Sequence, residues 1–321
     1  MIMSPTVEAS AKKSFGQLIS QAPEIAQRLL NISVMLRGHP PAGILFVASG
    51  VILYVTESKE KEPKTEVYVV TAKHNLYVFS GVVDPPSKDP ADIVSAFQKT
   101  MMIWYDEAME FGKAPAKSAT INAIELVIPE NTKPWEYDVM ILKSTDEDFI
   151  TFAEQNNLYT PPLDGLSKKV LVNPTNYLNR DKNNYFIQTG YGKSTDKVGK
   201  RNLPAEPNSS NLYQSLQYRF TKPVDEETVT VFNQHSENRK QYYQFQQAIQ
   251  MRADNNDATA EGDSGGPLFL ARRDKKDLYL IGVTTGADMA ASEKPCPTGD
   301  AHENEIVTSL QTCYGPEGPF S

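Results

Sequence analysis

The part of the chain best suited to covalent chemistry is the segment EGDSGGPL, which has Ser264 at its centre. Glycines on both sides let the backbone turn tightly and let a substrate carbonyl group come close. The backbone amides of Gly262 and Ser264 can point at one spot, where two N–H donors would stabilise a developing oxyanion. A serine hydroxyl is unreactive near neutral pH without a base. The segment therefore predicts that a histidine, oriented by a carboxylate, lies beside Ser264 in the folded chain.

One of the four histidines directly follows an apolar, strand-like segment. His74 comes after VYVVTAK, whereas the other three lie in turn-rich or polar sequence: His39, His235 and His302. A base at the end of a rigid strand is held closely enough for proton transfer. A histidine in such a place more often serves packing, but in the company of Ser264 we predict His74 as the general base.

Asp138 opens the apolar segment DVMILK, whereas most other acidic residues lie in charged or turn-rich stretches. A carboxylate next to a buried strand costs free energy unless it has a partner. A surface position at the strand end is the structural alternative. Together with His74 and Ser264, Asp138 is predicted as the carboxylate that orients the base.

Three segments resemble the signature blocks of the trypsin/chymotrypsin-like serine peptidases: TAKH (71–74), DVMIL (138–142) and GDSGGP (262–267). They follow that family's His, Asp, Ser order, which differs from the orders in subtilisins and α/β-hydrolases. The resemblance covers about residues 33–321. It implies an all-β fold of two six-stranded antiparallel β-barrels, with the active site in the cleft between them.

The resemblance also implies a role for each matching residue. His74 is the general base and then the general acid, Asp138 its orienting partner, and Ser264 the nucleophile. The amides of Gly262 and Ser264 form the oxyanion hole. The segment that pairs with an extended substrate backbone is matched by three residues: Thr284, Thr285 and Gly286.

The position that sets side-chain specificity in the family is occupied by Ala258. An alanine there favours a pocket for small or apolar side chains. Asp257 is one residue away and Asp288 lies just past the pocket segment, so an acidic pocket stays open as the alternative.

The chain departs from the family pattern in two respects. Asn75 and Ala260 stand where extracellular members carry bridging cysteines, and Cys296 and Cys313 either close one loop or stay free thiols. No cleavage site of the zymogen type occurs, so Asp263 needs a partner other than a freed amino terminus, or rests on local amides. Activation by clipping is therefore not predicted.

The elements that position these residues are predicted from hydrophobic periodicity. From residue 33 onwards, short β-branched segments alternate with turns rich in Gly and Pro, which is typical of an all-β barrel or sandwich. Residues 267–286 predict a hairpin. Helical 3–4 spacing occurs at 15–30 and at 91–111. We interpret the segment 15–30 as an amphipathic helix packed on the domain, with a partner contact as the alternative.

Two domains follow from this pattern. Residues 1–32 are predicted as a helical extension and 33–321 as the peptidase domain, with barrel 1 at about 33–155 and barrel 2 at about 165–321. The intervals between the three signature blocks are longer than is typical of the family. Insertions near a cleft restrict access to it, so we expect selectivity for few protein targets, with plain decoration as the alternative.

Composition excludes several other classes of protein. The chain of 321 residues has 32 Lys plus Arg and 40 Asp plus Glu, a formal net charge of -8 at pH 7. An acidic surface repels phosphate backbones, which argues against nucleic-acid partners. Two cysteines are too few for a disulfide-built scaffold or a four-ligand zinc site, and no HExxH motif occurs. We therefore predict no cofactor and no metal ion.

The sequence predicts no membrane span and no secretory signal. The longest apolar run, at 42–55, has about 14 residues, fewer than the ~20 that cross a bilayer. The basic start at Lys12 and Lys13 is followed by an apolar pattern that polar residues interrupt. We expect the protein to be cytoplasmic or exported by a signal-independent route.

The sequence as a whole predicts a serine endopeptidase that hydrolyses polypeptides through an acyl-enzyme. The principal alternative is a catalytically silent pseudoprotease used as a binding module. An esterase would share the chemistry and differ only in substrate.

Overall fold

In the computed structural model, twelve segments of the chain are described: 13–14, 22–38, 46–57, 65–76, 90–105, 115–127, 138–156, 184–192, 216–223, 251–253, 262–272 and 278–285. They form two antiparallel sheets and three helices of nine residues or more. All structural statements below concern these segments.

The first sheet has seven strands, in the order β6 (Lys117–Thr120), β5 (Met101–Tyr105), β2 (Ser33–Gly38), β3 (Phe46–Glu57), β4 (Thr65–Thr71), β8 (Met140–Ser144) and β7 (Ala123–Leu126). Its edge strands β6 and β7 are separated along the chain only by Ile121 and Asn122. Three Cα–Cα steps span at most about 11 Å, whereas the edges of seven flat strands would lie roughly 29 Å apart. The first sheet therefore has to curl until its two edges approach each other.

The second sheet has the strand order β1 (Lys13–Ser14), β10 (Gln217–Pro223), β9 (Asn184–Gly190), β12 (Pro267–Arg272) and β13 (Leu278–Val283), with β11 (Met251–Ala253) paired to β10. Strands β12 and β13 form the predicted hairpin, with a register shift between Leu268 and Phe269. Strand β1 was not predicted, because two residues carry no periodic signal.

The all-β fold class is confirmed, and one strand more than expected occurs in the first sheet. The sequence predicts six strands per barrel, but Lys117–Thr120 adds a seventh to the described part of sheet one. Only Ala119 of that strand is buried. A strand with so little apolar surface gives no alternating pattern to detect.

Helix α1 (Pro23–Ile32) accounts for the described part of the helix predicted at 15–30. Pro23 stands in its first turn, where the missing N–H costs nothing. The helix buries one apolar face against the sheets through Ile25, Ala26, Leu29 and Ile32. Residues 15–21 lie outside the described segments, and the alternative of a partner contact stays a prediction.

The helix predicted at 91–111 is shorter than expected. Helix α2 (Pro90–Thr100) is followed at once by strand β5. In β5, buried side chains alternate with half-buried ones, and Ile103 pairs with Leu36 of β2. Met101 and Trp104 fit the helical 3–4 spacing as well as they fit an alternating strand, so pairing with β2 and β6 decides between the two. Residues 106–111 are not among the described ones.

A single apolar core joins the two sheets. It contains Val34 and Leu142 of the first sheet and Ile187 and Phe269 of the second, all fully buried. Helix α3 (Glu147–Gln155) adds Phe149 and Phe152, whose rings lie 4.7 and 4.8 Å from that of Tyr105. Because one core spans both sheets, side chains on one sheet have a defined place relative to the other. None of the described helices is long and apolar enough to span a membrane.

Candidate active site

His74 leaves the first sheet just after β4 ends. The chain turns there, with the amide of Leu76 donating to the carbonyl of Lys73 at 3.0 Å. The apolar segment that starts at residue 75 predicts a further strand, but residues 74–76 form a helical turn. His74 is 7% exposed.

Asp138 reaches His74 through the pairing of β4 with β8. Thr71 lies opposite Met140 in the antiparallel ladder, so the residues that continue beyond each strand end approach each other. Oδ1 of Asp138 accepts the backbone N–H of His74 at 2.7 Å, and Oδ2 lies 2.6 Å from Nδ1 of the imidazole. Both carboxylate oxygens are therefore engaged by the same histidine.

Ser264 comes from the second sheet, in the nucleophile loop (Gly262–Gly266) that precedes β12. Its Oγ lies 2.8 Å from Nε2 of His74. Because a carboxylate only accepts hydrogen bonds, Nδ1 carries the ring proton toward Asp138. Nε2 is then the acceptor for the serine hydroxyl. The structure thus brings together the three residues predicted from the sequence, two from the first sheet and one from the second.

The nucleophile loop depends on glycine at two places. Gly262 has φ 97° and Gly265 has φ 83°, in the left-handed region that residues with a Cβ avoid. The amide of Gly266 donates to the carbonyl of Asp263 at 2.8 Å and closes a tight turn around Ser264. Among the described residues, no acceptor is bonded to the amide of Gly262 or of Ser264.

Comparison with known proteins places the chain in a family. The model of the trypsin family, described as Trypsin, matches residues 65–306, which is more than half of the 321 residues. The chain belongs to the trypsin family. The two antiparallel sheets agree with the two-barrel architecture of this family. No curated protein matched the sequence.

Several solved structures are similar to this trypsin-family chain at low identity. HL collagenase is 16% identical with a TM-score of 0.44, over 82% of this chain and 84% of the collagenase. The scabies mite inactivated protease paralogue S-I1 is 16% identical with a TM-score of 0.40, over 85% and 86% of the two chains. The protease Anisep from Arthrobacter nicotinovorans is 14% identical with a TM-score of 0.41, over 80% and 84%. Likenesses at this level say nothing about the activity of this chain.

Asp263, the residue before the candidate nucleophile, rests on a backbone amide. It is 2% exposed, and its Oδ1 accepts the N–H of Gly192 at 2.8 Å. A Cβ at Gly190 or at Gly192 would collide with this carboxylate. The segment that follows β9 therefore needs glycine so that its backbone can come close to Asp263. Of the two alternatives, a partner elsewhere in the chain or local amides, this bond is of the first kind, because Gly192 lies 71 residues before Asp263.

Lys73 adds a cationic group beside the candidate catalytic pair. Lys73 is 2% exposed. Burial lowers the pKa of Lys73, while the neighbouring negative charge of Asp138 acts in the opposite direction. The backbone N–H of Lys73 also donates to the carbonyl of Asp138 at 3.4 Å, which adds to the pairing that holds Asp138 in place.

Thr284 is hydrogen-bonded to the nucleophile loop through its backbone and its side chain. Its carbonyl accepts the amide of Gly265 at 2.7 Å, and its own amide donates to the carbonyl of Gly266 at 2.8 Å. Its hydroxyl donates to the same carbonyl and accepts from Gln188. Thr284 therefore supports the loop, and the predicted pairing of Thr284, Thr285 and Gly286 with an extended substrate stays a prediction.

Several predicted residues lie outside the described segments: Ala258, Gly286, Cys296, Cys313 and the three remaining histidines. The specificity pocket and the state of the two cysteines therefore stay predictions. Sequence reasoning also missed contributors to the site, namely Ser49, Gly190 and Gly192. The available signals were a Ser-Gly pair inside the apolar strand β3 and the glycines of QTGYG.

Replacing Gly265 with Ala should displace the nucleophile loop. The new Cβ would occupy a left-handed conformation and collide with the Thr71 hydroxyl and the Ser49 carbonyl. We expect the free energy of unfolding to fall by about 2–4 kcal/mol, measured by urea titration. Gly282→Ala is the matched control, because a Cβ there meets nothing within 4 Å. It should change stability by no more than about 1 kcal/mol. Equal losses in both variants would contradict the prediction.

Proposed function

We propose that the chain is a serine endopeptidase that hydrolyses peptide bonds through an acyl-enzyme. The observation that supports this proposal is the unbroken hydrogen-bonded series from Asp138 through His74 to Ser264. Its two links measure 2.6 and 2.8 Å. The second lies in the range that proton transfer to a general base requires, and the first is the bond that orients this base. Membership of the trypsin family supports a polypeptide as the substrate.

In the first half of the reaction, Ser264 Oγ attacks the carbonyl carbon of the scissile peptide while Nε2 of His74 takes the hydroxyl proton. The carboxylate of Asp138 stabilises the imidazolium that forms. The oxyanion of the tetrahedral intermediate accepts hydrogen bonds from the amides of Gly262 and Ser264. When the C–N bond breaks, Nε2 donates this proton to the leaving amine. The acyl group stays on Ser264.

In the second half, a water molecule takes the place of the amine. The oxygen of that water attacks the ester carbon while Nε2 of His74 accepts one of the water protons. The second tetrahedral intermediate breaks the C–Oγ bond, and the proton on Nε2 returns to Ser264. The histidine keeps one orientation through both halves, because Asp138 binds its backbone N–H and its Nδ1 together.

The substrate is proposed as an extended polypeptide that pairs with Thr284, Thr285 and Gly286. With Ala258 at the specificity position, the pocket takes a small or apolar side chain. The intervals between the signature blocks are long, and we propose on this ground that the enzyme is selective for few protein targets. A peptide library with each residue type at the position before the scissile bond tests the pocket.

Covalent labelling of the intact protein tests the proposed activity. A fluorophosphonate should add once to the folded chain, and peptide mapping should place the adduct on Ser264. Only a serine activated by a base beside an oxyanion hole reacts at a useful rate. Chain unfolded in urea is the control, because it keeps every serine but loses the site. A folded chain that takes no label, before and after limited proteolysis, would favour the pseudoprotease alternative.

A further inference from the structure

Ser49 is a buried polar residue in the middle of strand β3, and it is 1% exposed. Its hydroxyl donates to the carbonyl oxygen of Gly262 at 2.7 Å and accepts the backbone N–H of Tyr191 at 2.8 Å. Gly262 opens the nucleophile loop, and Tyr191 precedes the glycine that binds Asp263. One hydroxyl of the first sheet is therefore bonded to two different segments of the second.

The backbone of Ser49 extends the same connection. Its N–H donates to the carbonyl of Ser264 at 2.9 Å, and its carbonyl accepts the hydroxyl of Thr71 at 2.7 Å. Thr71 is the last residue of β4, three positions before His74. Ser49 thus contacts the nucleophile loop on one side and the strand that carries the candidate base on the other.

The bond to Gly262 matters because glycine holds its own peptide orientation weakly. With no Cβ, Gly262 occupies left-handed and right-handed conformations at similar energy. An outside hydrogen bond is needed to select one of them. Ser49 fixes the carbonyls of Gly262 and of Ser264, which belong to the peptide groups that follow these residues. It thereby restrains the ψ angles of the two residues whose amides would bind the oxyanion.

Asn75 reinforces this arrangement from the other side. Its Nδ2 donates to the Thr71 hydroxyl at 3.1 Å and lies 3.4 Å from the carbonyl of Ser264. Asn75 stands where extracellular relatives carry a bridging cysteine. The bond to Thr71 is buried and stays within the first sheet, and the part-buried bond to Ser264 joins that sheet to the nucleophile loop.

We propose that Ser49 is a positioning residue for catalysis, and this inference rests on the proposed peptidase activity. Its hydroxyl holds the carbonyl of Gly262, and with it the ψ angle of that residue, so that the amides of Gly262 and Ser264 face the developing oxyanion. The expected defect on its removal is specific. The chemical step slows, while noncovalent binding and the protonation of His74 stay unchanged, because Ser49 contacts neither the substrate cleft nor the imidazole among the bonds described.

The test compares Ser49→Ala with Ser33→Ala. Ser33 is the matched control, because it is 2% exposed and its hydroxyl also joins the two sheets, at 3.1 Å from Oγ1 of Thr189. It has no contact with the nucleophile loop in the described structure. The measurements are kinact and KI for a fluorophosphonate, their pH dependence, and the melting temperature.

For Ser49→Ala we expect kinact to fall about 10- to 100-fold, because a misplaced reacting group costs up to roughly 10² in rate. KI should stay within about threefold, and the pH midpoint of kinact/KI should not move. Ser33→Ala should lose a similar amount of melting temperature and keep kinact within about twofold, since each variant loses buried hydrogen bonds of similar strength. If Ser49→Ala fails to fold, Ser49→Cys replaces it, because a thiol is a weaker donor than a hydroxyl. Its kinact should fall below that of the wild type, by a smaller factor than the one expected for alanine.

Equal kinact values in Ser49→Ala and Ser33→Ala would overturn the inference and leave the proposed peptidase intact. A full-length wild type that takes no label would overturn both. A shift in the pH midpoint of the Ser49 variants would also overturn the inference, since it would show that Ser49 acts on His74 instead of on the oxyanion site.

Discussion

Replacing Ser264 with Ala should lower kcat/KM for peptide cleavage by roughly 10⁵- to 10⁶-fold, because loss of the nucleophile removes the acyl-enzyme route altogether. The fold should survive, since the backbone bonds of residue 264 to Ser49 and Asn75 do not involve its hydroxyl. The only described contact of that hydroxyl is with Nε2 of His74. Activity assays with a peptide library, together with the melting temperature, measure both effects.

A serine elsewhere provides the control for this substitution. Ser95 is half-buried on helix α2, where alanine is well tolerated. Ser95→Ala should keep wild-type kcat/KM. A Ser264→Ala protein that still cleaves peptides within about tenfold of wild type would mean that another residue supplies the nucleophile, because triad members act as one unit.

Replacing Asp138 with Asn should lower kcat by about 10⁴-fold with little change in geometry. The backbone N–H of His74 needs an acceptor, so the amide oxygen takes the place of Oδ1. The amide NH₂ then faces Nδ1 of the imidazole. Nδ1 has to accept that bond, which moves the ring proton to Nε2. A protonated Nε2 in the neutral ring cannot take the proton of Ser264.

The matched control is Asp146→Asn. Asp146 caps helix α3 by accepting the amide of Phe149 at 3.3 Å, and asparagine caps helices about equally well. That variant should keep both stability and kcat. The imidazole tautomer of Asp138→Asn is read directly from ¹⁵N chemical shifts of the histidine ring. Wild-type kcat in Asp138→Asn, or a ring proton still on Nδ1, would contradict this account of how Asp138 acts.

The identity of the candidate catalytic residues could be predicted from the sequence because their local settings are distinctive. A serine between glycines, a histidine after an apolar strand, and an aspartate before one are short-range patterns that need no partner to be detected. The hairpin of β12 and β13 is predicted for the same reason, since its two strands and the turn are contiguous. Each of these features is contained in one short, continuous stretch of the chain.

Other local patterns were ambiguous, and packing decided between their interpretations. The residues of β5 satisfy a helical spacing and an alternating one equally, and only the neighbouring strands β2 and β6 select the strand. Thr284 matches a substrate-binding segment in sequence, and only the structure shows that both of its backbone groups are also bonded to the nucleophile loop. A local sequence pattern does not specify which hydrogen-bond partner a peptide group will have in the folded chain.

Local sequence patterns were enough to predict the candidate catalytic side chains and the all-β framework on which they lie. Tertiary structure alone decided the distances, because these depend on strand register and on the contact between two sheets. The register of Thr71 against Met140 brings Asp138 to His74 across 64 residues. The common core, and the bonds that Ser49 makes from one sheet to the other, bring Ser264 to both. Such contacts join residues that are far apart in the chain, and the local pattern around each one is the same whether or not they meet.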